Sequence, residues 1–142
     1  MQEPVTIITD VKENETISKI INENLKKFNE SLIGKYEAKP FIIYAENSAS
    51  ETVGGIKGDV FGNLCRVFTV WVSEEYRQKG LGRKLFTQLD AFAKQSHCNT
   101  IQLDTAEFQA KGFYEKLGYH VIATLPDNFM GHTSYILRKH LE

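Results

Sequence analysis

The chain has 142 residues, enough for one domain with its own core. Charged residues at 25% and apolar residues at 42% are those of a globular chain, which excludes disordered and fibrous classes. The net charge of -1 gives no footprint for nucleic acid or an anionic membrane, and no apolar run is long enough to span one.

Residues 5–9 read as a short strand. Asn14 can cap a helix whose apolar positions Ile17, Ile21, Leu25, Phe28 and Leu32 recur every three or four residues, with Gly34 as its stop. Residues 41–45 are β-rich, residues 47–50 form a turn, and residues 53–61 read as a strand weakened by Gly54, Gly55 and Gly58. Gly62-Asn63 is a second turn, so an antiparallel meander of three strands is expected.

Residues 64–72 carry one charge, Arg66, and read as a strand buried on both faces, with Trp71 as core packing. Leu81, Leu85, Leu89, Phe92 and Ala93 then share one helical face, and residues 101–103 make a short strand. Strand, helix and strand in this order form a crossover, so the two strands should be parallel. Thr105 can cap another helix, with Ala110, Phe113, Tyr114 and Leu117 inward and Gly118 at its end. Residues 119–125 and 133–138 complete the set. The expectation is an α/β (α+β mixed) fold with one mixed sheet and covering helices, in a single domain over residues 1–142.

The most telling stretch is Arg77-Gln78-Lys79-Gly80-Leu81-Gly82, followed by Arg83-Lys84. It stands where a strand gives way to a helix. Glycines allow close backbone approach, and a helix start offers unpaired N–H groups and a positive dipole end. Together they suit phosphate or pyrophosphate. G-x-x-x-x-G-K-[ST] is absent. The dinucleotide fingerprint G-x-G-x-x-G fails at Leu85, and seven residues separate the strand from Gly80.

This loop resembles the Q/R-x-x-G-x-G/A motif of the GNAT superfamily of N-acetyltransferases. Phe113-Tyr114-Glu115-Lys116-Leu117-Gly118-Tyr119 is similar to that family's F/L-Y-x-x-L-G-F segment. The resemblance implies a sheet whose two parallel strands splay to admit the pantetheine arm of acetyl-CoA along Val70, Trp71 and Val72. The backbone of Gln78, Lys79, Gly80, Leu81, Gly82 and Arg83 would hold the pyrophosphate, with Arg77 opening the motif. Tyr114 would protonate the departing thiolate. A phenol, with a reference pKa near 10, suits that role at neutral pH.

Two departures from the family pattern stand out. Where many members carry an asparagine, seven residues before the tyrosine, this chain has Glu107, and Gln109 is a substitute to weigh. The strand before the loop has no acid, which leaves Asp104 or a water chain as the general base. His132 and Tyr135 lie where members shape the acceptor pocket, and His132 reads as a surface histidine. The implied activity is direct acetyl transfer from acetyl-CoA to a primary amine. The competing reading is a catalytically silent acyl-CoA-binding regulatory module.

Cys65 and Cys98 read as reduced structural thiols, and two thiols do not suggest a metal site. Met1-Gln2-Glu3-Pro4 lacks the form of a signal peptide, so a cytoplasmic protein is expected. A small-molecule or peptide amine is the expected partner, without nucleic acid or membrane, and an exposed last strand is compatible with a homodimer.

Overall fold

The computed structural model describes residues 3–142, which form two compact units, one ending at Tyr36 and one running from Glu37 to Glu142. In the first unit, α1 (Glu15–Ile33) starts as the sequence predicts. The Asn14 side chain accepts from the Ile17 N–H at 3.1 Å. Gly34, at φ 86°, ends the helix. No residue of α1 is buried. The expected strand at residues 5–9 is absent. Val5, Ile7 and Ile8 are 80–88% exposed, in a stretch without regular structure. A β-branched run becomes a strand only when a neighbour completes its ladder.

The second unit contains β1 (Ala38–Glu46), β2 (Thr52–Phe61), β3 (Leu64–Val72), α2 (Leu81–Gln95), β4 (Thr100–Ala106), α3 (Lys111–Lys116), β5 (His120–Phe129) and β6 (His132–His140). The sheet order is β1-β2-β3-β4-β6-β5. All neighbours are antiparallel except β3 and β4, as the crossover requires. Leu85, Phe86, Leu89 and Ala93 of α2 are buried in one cluster with Ile56, Cys65, Ile101 and Leu137 of the sheet. Each of the leucine, isoleucine and phenylalanine side chains among them contributes roughly 1.5–3 kcal/mol relative to exposure.

Two expectations need correction here. β3 is not buried on both faces: Cys65 and Val67 are buried, but Phe68 and Trp71 are 59% and 48% exposed. The cause is a bulge. Lys57 faces Thr69 and Gly58 faces Val67, which leaves Phe68 as an additional residue on β3. A Cβ at Gly58 would overlap the Arg66 carbonyl, so the bulge needs glycine there. Trp71 therefore stands on the sheet surface rather than in the core.

The helix expected from Thr105 begins instead at Lys111. Thr105 belongs to β4, and its hydroxyl accepts from the Ala110 N–H at 3.4 Å across the intervening loop. Gly118, at φ 97°, follows the helix as predicted.

Candidate active site

The two parallel strands pair over only three positions, Leu64–Thr100, Cys65–Ile101 and Arg66–Gln102. Beyond them β3 stays with β2 as far as Val72, and β4 stays with β6 as far as Ala106. A cleft opens between the two carboxyl ends. Ser73 donates its N–H to the Val53 carbonyl at 2.8 Å. Antiparallel alternation then turns the Trp71 backbone toward β2 and the Val70 and Val72 backbones toward the cleft. The Val72 carbonyl accepts from Arg77 Nε at 2.9 Å, so the N–H is the free group of Val72.

The loop beyond β3 makes one short 3₁₀ turn, Glu74–Tyr76, and then reverses. Gln78 holds φ 62° and Gly80 φ 85°, both left-handed. A non-glycine residue in that region costs about 1–3 kcal/mol, strain that tends to gather at functional sites. The first hydrogen bond of α2 runs from the Lys84 N–H to the Gly80 carbonyl at 3.1 Å. The amides of residues 78–83 find no acceptor among the described residues. No acid lies in the first turn of α2, while Lys79, Arg83 and Lys84 are exposed around it. The arrangement is a concave set of donors at a positive helix end, fit for a pyrophosphate. Arg77 faces the strand end and braces it. Gly82 lies against α3: a Cβ there would sit 3.1 Å from the Phe113 ring.

Tyr114 is 6% exposed. Its ring packs against Phe86 at 5.4 Å, Phe113 at 5.4 Å and Tyr119 at 6.1 Å. Burial first, and the charge of Asp104 second, push its phenol up to about 12. The group is therefore protonated at neutral pH, and its hydroxyl makes no hydrogen bond among the described residues. Asp104 lies in β4 opposite Ile136, exposed and outside any turn. Cys65 and Cys98 are free and buried, and burial pushes the Cys65 thiol up to about 12, which makes it inert. Among the described residues, no group of three or more His, Cys, Asp or Glu is placed to hold a metal ion.

The region after β4 contains what local sequence reading missed. Gln109 is committed internally: its side-chain oxygen accepts from the Ala106 N–H at 2.7 Å and from the Thr105 hydroxyl at 3.3 Å. Glu107 Oε1 meets His132 Nδ1 at 2.8 Å. His132 is half-exposed, as expected of a surface histidine, but it is paired. Tyr135 lies under the Lys111 ammonium at 4.7 Å.

Residues 9–119 match the profile of the acetyltransferase (GNAT) family. The chain belongs to the GNAT family. It is an acyltransferase by that membership, and the family's donor is acetyl-CoA. This GNAT chain is 37% identical over 109 residues to a blasticidin-S acetyltransferase of Streptomyces morookaense, covering 74% of this chain and 80% of that one. An acetyltransferase structure from Bacillus cereus superimposes with a TM-score of 0.83 at 25% identity, covering 94% of this chain and 98% of that one. A Bacillus anthracis structure, described as a streptothricin acetyltransferase in complex with acetyl coenzyme A, shares the fold. Its TM-score is 0.66 at 21% identity, over 75% of this chain and 65% of that one. No helix among the described residues is long and apolar enough to cross a membrane.

Proposed function

We propose that the chain acts as one N-acetyltransferase domain that moves the acetyl group of acetyl-CoA to a primary amine of a small molecule. The observation that carries this reading is the run of unpaired amides at residues 78–83, beside a strand edge that is itself unpaired. A pyrophosphate fits the first and an extended amide-containing arm fits the second, as an added strand does. Val70 and Val72 pair with the arm, Gln78 to Arg83 hold the pyrophosphate, and Arg77 fixes the end of the strand between them. Trp71 contributes by keeping β3 on β2.

The reaction needs no covalent enzyme intermediate. The uncharged amine attacks the thioester carbonyl, and the Val72 N–H steadies the oxyanion that forms. The tetrahedral intermediate collapses with loss of the thiolate, which takes the Tyr114 proton. The reduced thiols agree with a cytoplasmic setting. That the acceptor is a small molecule draws support from the relative named for blasticidin S. The test is release of free thiol from acetyl-CoA, with mass detection of product, across a panel of polyamines, aminoglycosides, amino acids, blasticidin S and peptide N-termini. Transfer to a small-molecule amine is the expected result. Tight acetyl-CoA binding without transfer to any amine would make the chain a silent binding module.

A further inference from the structure

The proposed reaction requires that an amine lose a proton, and β3 contains no acid to take it. The hairpin joining β5 and β6 answers that need. Met130 and Gly131 take φ 52° and 84°, as in a two-residue type I′ turn, and His132 follows directly, paired with Phe129. The imidazole is held from two sides. Phe108 packs its ring at 4.9 Å from that of His132 and 5.8 Å from that of Phe129. Glu107 Oε1 lies 2.8 Å from Nδ1. Glu107 is itself anchored, its N–H donating to the Thr133 carbonyl at 2.8 Å as a continuation of the β4–β6 ladder. With Nδ1 as donor to the carboxylate, Nε2 is left as an acceptor.

The strand register gives this pair its place. By residue count from the Leu64–Thr100 pair, allowing for the additional residue at Phe68, Glu107 falls on the rung of Val72, one residue past the end of β4 and beyond the last paired rung, Arg66–Gln102. The glutamate that departs from the family pattern thus follows the open end of β4, the end at which β3 offers the backbone group assigned to the oxyanion, with a histidine attached.

We propose that His132 is the general base of acetyl transfer and that Glu107 is its positioning residue, an inference that rests on the transferase reading above. Nε2 takes one proton of the acceptor ammonium and passes it through water to solvent. The freed nitrogen lone pair forms the N–C bond, and Nε2 takes a second proton from that nitrogen, now cationic, as the C–S bond breaks and the thiolate takes the Tyr114 proton. This second proton returns from His132 through water to the Tyr114 phenolate, so the net products are the amide, the thiol and one proton released to solvent. Exposure of the pair, with side chains 49% and 45% accessible, gives that water its path. Of the charged groups, Glu107 is bonded to His132, and Asp127 on β5 stands beside the turn, its Oδ1 3.8 Å from where a Cβ on Gly131 would stand.

The test uses steady-state kinetics of the whole chain with His132→Gln and Glu107→Gln. His132→Gln is expected to lower kcat on the order of 10²-fold, to abolish the acidic limb of the pH profile of kcat/KM, and to leave acetyl-CoA affinity unchanged by calorimetry. The loss should shrink for an acceptor of low basicity, which arrives already neutral. Glu107→Gln weakens the anchor on Nδ1, so kcat should fall by a smaller factor than in His132→Gln while the KM for acetyl-CoA stays unchanged. Wild-type transfer with a His132→Gln variant that keeps both its rate and its acidic limb overturns the base assignment alone. Wild type without transfer to any amine overturns the transferase reading and the base with it.

Discussion

The two ends of the β3–β4 pair are built from the same strands to opposite purposes. At the amino end, the ladder is complete over residues 64–66 and 100–102. Asn99 closes it: its N–H donates to the Asn63 carbonyl at 3.0 Å, and its side-chain oxygen accepts from Asn63 Nδ2 at 2.7 Å. At the carboxyl end the ladder is missing, Val72 presents its N–H to a cleft, and a run of loop amides is left without acceptors. Residues 78–80 and 83 are exposed, so water can meet these amides and keeping them open does not carry the cost of a buried, unpaired donor. The contrast separates the groups that hold the sheet together from those the fold leaves open.

The sharpest way to break that contrast is to damage the closed end. Ile101 is fully buried there. Ile101→Ala should cost about 2–5 kcal/mol in denaturant unfolding while the folded fraction keeps its kcat within a few-fold. A variant whose acetyl-CoA affinity collapses in step with its stability would show that the two ends are not separable.

Tyr114→Phe tests the open end. Packing is preserved because the ring stays, and kcat should fall on the order of 10²-fold, about 2.7 kcal/mol, with little change in acetyl-CoA affinity. Burial favours the neutral phenol and pushes it up to about 12, so Tyr114 stays protonated well into alkaline conditions. The wild-type profile should therefore show no alkaline fall owed to Tyr114 below about pH 10. A fall centred near pH 9 that vanishes in Tyr114→Phe would contradict the burial argument.

Gly82 separates charge from packing. Gly82→Ala asks the Phe113 ring to yield by a few tenths of an ångström, so a loss of a few-fold in acetyl-CoA affinity is expected. Gly82→Asp adds a negative charge at a positive helix end and should weaken binding by roughly a further tenfold. Equal affinities of the two variants by calorimetry would remove the pyrophosphate from this loop. The smallest effect belongs to Cys98→Ser, which should leave the transfer rate unchanged and cost about 1–3 kcal/mol of stability through its buried hydroxyl. An acetylated cysteine turning over at the catalytic rate would refute direct attack by the amine.

What the sequence made legible follows from the range of each signal. The meander, the crossover, α2 and the glycine loop are local patterns, and each is where the spacing puts it. The strand at residues 5–9 failed because a run of β-branched residues says nothing about whether a partner strand exists. β3 misled because the bulge at Phe68 lies in its pairing with β2, and hydropathy records residues rather than register. Thr105 has the chemistry of a cap, but the loop to Ala110 needed its hydroxyl first. The Glu107–His132 pair joins residues 25 apart through a hairpin, a distance over which no periodicity operates. A glutamate out of family pattern was its only trace.

The unpaired edges of β3 and β4 have a consequence for association. An open strand edge on the rim of a sheet is a template for any passing strand, and natural proteins guard such rims against aggregation. Here both edges belong to interior strands, flanked by β2 on one side and β6 on the other. A second sheet has no approach to them. A single slender chain with its own amide groups does, so under the proposed reading the same vacancy that would be a hazard at the margin becomes a filter on the thickness of what can bind.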